Sequence, residues 1–226
     1  MLPEIIKTED GSHSLYIKEL DEHYHSIHGA VQESRHVFIE AGLKHFISGA
    51  ALPVEIKILE IGLGTGLNAL LTFIEAEKSA SHIYYTAVEA YPLSIDLAGQ
   101  LNYIDCLNAE KYQSVFNAVH SCEWDKPVML SNQFTIRKIK NTIQQAILEN
   151  KYDLIYFDAF GPPVQPEMWI EEVFAKIYAA MADKGYLVTY CAKGEVKRTL
   201  KKVGFAVESL KGPPGKREMV RAQKVC

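Results

Sequence analysis

Residues 205–225 read FAVESLKGPPGKREMVRAQKV. FAVESLKG and REMVRAQKV both have strand character, and little more than GPPGK joins them. Parallel pairing needs a crossover of about a dozen residues or more, so these two are expected as an antiparallel hairpin. The chain before them alternates differently. VEIKILEIG gives a strand from Val54 to Ile61, GLGTG a glycine turn and LNALLTFIEAEKSA a helix. IYYTAVEAYP gives a second strand ending at Glu89, with Pro92 and the residues after it opening another helix, and FTIRKIK (134–140) alternates as a third. YDLIYFDAF (152–160) has the short apolar pattern of a strand buried on both faces, and the prolines after it cannot continue a central strand. The helix PEMWIEEVFAKIYAAM, a fifth strand KGYLVTYC and the helix GEVKRTLKKVG lead into the hairpin.

Strands alternating with helices imply a parallel sheet covered on both faces, with ligands at the C-terminal strand ends near a topological switch point. The expected fold is α/β and Rossmann-like, a seven-stranded, mostly parallel sheet with an antiparallel last strand. That arrangement is associated with class I S-adenosylmethionine-dependent methyltransferases, whereas a dinucleotide-binding domain would continue with parallel crossovers. A helix is expected over about 33–47, closed off by Pro53. No repeat, low-complexity tract or linker divides the chain, so residues 1–226 are expected as a single domain.

At 226 residues and 48% apolar content the chain is long enough for one sizeable core. MLPEIIKTEDGSHS at the N-terminus is no signal pattern, and no apolar run approaches the ~18 to 20 residues of a membrane span. A soluble, unexported, cytoplasmic protein is expected. Cys106, Cys122, Cys191 and Cys226 form no CxxC pair and are expected as reduced thiols. From Lys193 to Cys226, ten Lys or Arg stand against three Glu, a net +7, which leaves −11 for the rest of a chain whose total is −4. A basic end on an acidic body suits a face that meets a polyanion, or a solvated helix face.

Gly62, Gly64 and Gly66 of GLGTG let the backbone turn tightly, approach a ligand and present amides at a helix N-terminus. Leu67 stands where a dinucleotide fingerprint needs its third glycine, which favours a ligand without a pyrophosphate. Glu89 ends the next strand, where a carboxylate accepts both hydroxyls of an adenosine ribose. Glu60, just before the turn, either faces a methionine moiety or makes a local hydrogen bond.

YHSIHGAVQESRHVFIEAGL from Tyr24, ILEIGLGTGLNALL from Ile58, YFDAFGPPVQPEMW from Tyr156, TYCAKGEVKRTLKKVGF and GPPGKREM together resemble the methyltransferases of tRNA wobble-uridine modification over almost the whole chain. The resemblance implies an S-adenosylmethionine-dependent methyltransferase converting 5-aminomethyl-2-thiouridine to 5-methylaminomethyl-2-thiouridine, with the tRNA anticodon stem-loop as partner. In many bacteria this activity is one half of a bifunctional protein whose other half is an FAD-dependent oxidase. No oxidase half follows in this sequence, so a free-standing methyltransferase is expected.

The resemblance implies that Asp158 is the catalytic carboxylate and contacts the cofactor. Independently, a strand-end carboxylate can accept an amine N–H, aim the nitrogen lone pair and stabilise the positive charge that methylation creates. A reference pKa of about 3.9 makes orientation its first role and base catalysis a second, available only if the pocket raises that value. Phe160 and Trp169 are expected to stack on a flipped base, Trp169 alternatively anchoring its helix in the core. Tyr24 and residues 1–50 are expected to wall the pocket, and Lys193, Lys216 and Arg217 to meet phosphates. Lys197, Arg198, Lys201 and Lys202 are as well explained by a solvated face. His23, His25, His28 and His36 lack the carboxylate or cysteine spacing of a metal site, and none is expected. Two other readings stay open: a small-amine methyl- or aminopropyltransferase of the spermidine synthase type, and a non-catalytic RNA-binding module.

Overall fold

The computed structural model describes residues 3–48, 53–149 and 151–225; Cys226 and the outermost residues of the expected N-terminal wall, 1–2 and 49–50, lie outside them. Strands β1 (Glu4–Lys7), β2 (His13–Ile17) and β3 (Glu22–His23) form a small antiparallel sheet where the sequence suggested an irregular start. Asp10 and Gly11 make its first turn, and Asp10 also accepts the backbone N–H of Gln32 at 3.0 Å, fastening the sheet to the helix that follows. That helix begins as α1 (Ala30–Ser34), continues as a π-helical stretch (Arg35–Lys44) and ends as α2 (His45–Ser48), not as the uniform helix expected. It lies against the sheet, and a Cβ on Gly42 would stand 3.1 Å from Val188 and 3.3 Å from Tyr156, so glycine permits the close approach.

The main chain of elements follows as β4 (Glu55–Ile61), α3 (Leu67–Ala76), β5 (His82–Glu89), α4 (Ile95–Ala98), α5 (Tyr103–Leu107) and α6 (Gln113–Ser121). Then come β6 (Pro127–Ser131), β7 (Phe134–Lys140), β8 (Tyr152–Phe157), α7 (Glu171–Ala180), β9 (Met181–Thr189), α8 (Gly194–Val203), β10 (Phe205–Lys211) and β11 (Glu218–Lys224). The sheet order is β10-β11-β9-β8-β4-β5-β7-β6. Pairs β4–β5, β5–β7, β4–β8 and β8–β9 are parallel, while β11 inserts antiparallel to both β9 and β10. The hairpin read from residues 205–225 is therefore present. The expected seven strands are eight: β6 adds an antiparallel edge, short, headed by a proline and bulged between Met129 and Ser131, features that read as loop in sequence.

From β4 the chain winds outward through β5 and β7, then returns to β8 on β4's other side. This reversal opens a crevice at the C-terminal ends of β4, β5 and β8. Apolar clusters fill both faces of the sheet, one under α7 and α8 around Phe157, Phe174 and Ile177, the other under the π-helical stretch and α3 around Phe38, Phe73 and Tyr156.

Candidate active site at the sheet switch point

Each glycine of the turn after β4 has positive φ: Gly62 at 88°, Gly64 at 47° and Gly66 at 73°. A Cβ on Gly62 would meet the Asp158 carbonyl oxygen at 2.7 Å, so the β4 and β8 ends pass at a distance only glycine allows. Glu89, at the end of β5, accepts the Gly64 N–H at 3.0 Å and the Tyr91 N–H at 2.7 Å, one on each oxygen. Every carboxylate oxygen retains further acceptor capacity, as binding a pair of hydroxyls requires. The side-chain-free turn beside a fixed carboxylate fits the adenosine end of S-adenosylmethionine.

Asp158 follows β8, its N–H donating to Ile61 O at 3.0 Å. Its Oδ2 accepts from Asn68 Nδ2 at 2.8 Å, and the same amide nitrogen donates to Glu60 Oε1 at 3.0 Å. Glu60 is fully buried, and burial followed by the Asp158 charge holds its carboxyl well above the usual range. The expectation that Glu60 faces a methionine moiety is revised: it meets the site through Asn68. The Tyr85 hydroxyl lies close enough to influence Glu60 but outside hydrogen-bond geometry. Burial, then the nearby Glu33 carboxylate, push Asp158 up to about 7, while the Asn68 bond and Lys216 act in the opposite direction.

The loop after Asp158 is held from behind. Trp169 is 6% exposed, packs edge-on against Phe157 at 4.8 Å and donates its Nε1–H to Phe160 O at 2.8 Å. Gln165 Oε1 accepts the Phe160 N–H at 3.0 Å, and the Tyr190 hydroxyl donates to Ala159 O at 2.8 Å. Trp169 is thus the anchor of the two roles open to it, and its expected stacking on a base is corrected, since its ring faces are covered. Phe160 and Tyr24 meet edge to face at 5.1 Å, with Tyr24 over Gly64. Burial, then the Glu89 charge, push the Tyr24 hydroxyl up to about 12, so it stays neutral.

A profile of the S-adenosyl-L-methionine-dependent methyltransferase family matches residues 107–225, more than half of the chain. The chain belongs to this family. As a methyltransferase it uses S-adenosylmethionine, and the resemblance expected from the motifs is to the methyltransferase half of a bifunctional protein. A tRNA 5-methylaminomethyl-2-thiouridine biosynthesis bifunctional protein MnmC from Marinomonas sp. (strain MWYL1) is 28% identical over 225 residues, covering 93% of this chain and 32% of its own length. The chain thus spans about a third of the length of the curated relatives it matches. The crystal structure of MnmC2 from Aquifex aeolicus superimposes with a TM-score of 0.77 at 23% identity, covering 97% of this chain and 70% of that one. Spermidine synthase from Thermotoga maritima shares the fold at a TM-score of 0.54 and 15% identity, covering 99% of this chain and 70% of its own.

Around this methyltransferase site the remaining expected residues separate. Lys193, at the head of α8, and Arg217, in the β10–β11 loop, are exposed. Lys216 is not a free phosphate ligand as expected: its ammonium pairs with Glu33 Oε1 at 2.5 Å and lies 3.8 Å from the centre of the Tyr190 ring. Lys197 is likewise taken, by Glu218 at 2.6 Å. The four clustered histidines turn to different partners. His25 meets Thr65 Oγ1 at 2.8 Å and burial pushes it down to about 4; His28 meets Glu9 at 2.9 Å, His36 the Lys211 carbonyl at 2.7 Å, and His23 packs on Tyr16. Asn68, Tyr190 and the inward use of Lys216 escaped the sequence reading. The available signal for Asn68 was a lone amide in the first turn of the apolar helix LNALLTFI.

Proposed function

We propose that the chain is the N-methyltransferase converting 5-aminomethyl-2-thiouridine to 5-methylaminomethyl-2-thiouridine at the tRNA wobble position, with the anticodon stem-loop as its partner. The observation that carries this reading is Asp158, fixed at the β8 end beside the glycine turn, with its carboxyl near 7 and the Tyr24–Phe160 aromatic pair alongside. The names of the relatives, which concern biosynthesis of this nucleoside, support the substrate.

S-adenosylmethionine, when bound, supplies an electrophilic methyl group. The amine reaches the site as an ammonium, and Asp158 takes one of its protons, leaving a neutral nitrogen hydrogen-bonded to the carboxyl. A carboxyl near 7 exchanges that proton at neutral pH, where an ordinary aspartate would not. The raised carboxyl supports base catalysis by Asp158 in addition to orientation, the role left open in the sequence. Phe160 and Tyr24 offer apolar ring surface to the extruded base.

The test is transfer of labelled methyl to tRNA from cells lacking this modification, with nucleosides identified by mass and putrescine offered in parallel. Label in 5-methylaminomethyl-2-thiouridine is expected. Label in the diamine alone, with intact cofactor binding, would overturn the assignment.

A further inference from the structure

Glu60, Asn68 and Asp158 come from three elements, the end of β4, the first turn of α3 and the end of β8. One amide group joins them: Asn68 Nδ2 lies 3.0 Å from Glu60 Oε1 and 2.8 Å from Asp158 Oδ2. The ionised form of Asp158 can only accept, so there the amide presents its NH2 and not its carbonyl. Asn68 is 3% exposed, and its Oδ1 has no partner among the described residues. An unpartnered buried acceptor is destabilising. A leucine or alanine would suit this apolar helix better, so the amide works against local stability and in favour of the two carboxyls.

We propose that Asn68 is a positioning residue for methyl transfer: its two N–H bonds tie Asp158 to the buried Glu60 and leave the other Asp158 oxygen to meet the amine. This rests on the role of Asp158 proposed above. Glu60 serves as the anchor, enclosed by the core and drawing Asn68 down from the helix. Without the clamp, Asp158 is held by its backbone alone, in direct sight of the Glu60 and Glu33 carboxyls. Two acidic groups that share one donor in a buried site resist simultaneous ionisation, and the amide offsets that repulsion on the side of Asp158.

The test is the pH dependence of single-turnover methyl transfer at saturating S-adenosylmethionine for the wild type, Asn68→Ala, Asn68→Ser and Asp158→Asn. Removing a donor from the Asp158 carboxylate disfavours its charged form, so the acidic limb of the Asn68→Ala profile is expected to move up by about one pH unit. At pH 7 this lowers the rate about fivefold. Asn68→Ser, which retains a shorter donor, is expected to shift the limb less and serves alone if the alanine variant fails to fold. In the Asp158→Asn background, Asn68→Ala is expected to add no further shift. An unmoved limb with a uniformly lower rate would reduce Asn68 to a structural residue and overturn the proposal. A wild-type rate for Asp158→Asn would instead overturn the role of Asp158 itself, so the two failures are distinguishable.

Discussion

Asp158 keeps its proton to about pH 7 in the folded protein, whereas an unfolded aspartate releases it near 3.8. Between these values the folded state binds more protons, so this group's contribution to stability falls as pH rises from about 4 to 7 and is flat above. Asp158→Asn removes the penalty. Three units would amount to about 4 kcal/mol, and the partial exposure of the residue reduces this to about 2 kcal/mol. Thermal melts are expected to show Asp158→Asn about 5 °C more stable than wild type at pH 8 and equal to it at pH 4; equal midpoints at both would place the carboxyl in an ordinary environment. Of the residues that make this environment, Asp158, Glu89 and the three glycines were legible because strand ends and glycine turns announce themselves locally. Asn68 was not, because its meaning lies in a partner 90 positions away. Lys216 meets Glu33 across 183 positions, a pairing that no local pattern encodes.

At the scale of elements, the loop between β8 and α7 depends on Trp169, whose indole holds the Phe160 carbonyl while filling space beside Phe157 and Phe174. Trp169→Ala is expected to cost about 3 kcal/mol in urea unfolding. With the cofactor proposed to sit at the β4 and β5 ends, its affinity is expected to remain within about threefold, while methyl transfer falls because Phe160 is no longer held. A variant that loses cofactor binding in proportion would show that the loop also forms the cofactor site. The βα alternation was readable from apolar runs punctuated by glycine and proline, and the last hairpin from the length of its loop. Strands β1 to β3 and edge strand β6 are short and take their stability from what they pack against, so periodicity gave no warning of them, while of the stretch α4 to α6 only a helix opening after Pro92 was legible. The Asp10-Gly11 pair was a usable hairpin signal in that stretch.

For the whole molecule, the basic C-terminal segment is less available than its charge suggests. Lys197, Lys202, Lys216, Arg221 and Lys224 pair with Glu218, Glu171, Glu33, Glu208 and Asp183. Among the described residues, Lys193, Arg198, Lys201, Lys211 and Arg217 lack such pairs and remain for a polyanion. If all five met phosphates, the logarithm of tRNA affinity would fall against the logarithm of salt with a slope of about −4. Lys193→Ala and Arg217→Ala are each expected to reduce that slope by about one in filter-binding titrations, and Lys216→Ala to leave it unchanged while slowing methyl transfer. A slope change for Lys216→Ala would mean that its pair with Glu33 opens on binding.

The role of Asp158 in activating the aminomethyl nitrogen for methyl transfer is decided by one comparison. Single-turnover rates of wild type and Asp158→Asn would be measured on tRNA bearing 5-aminomethyl-2-thiouridine at pH 7.5, with S-adenosylmethionine saturating and its affinity determined separately. A fall of at least about 100-fold in rate is expected, with cofactor affinity within about threefold. Equal rates, or a loss accounted for by weaker cofactor binding, would contradict it.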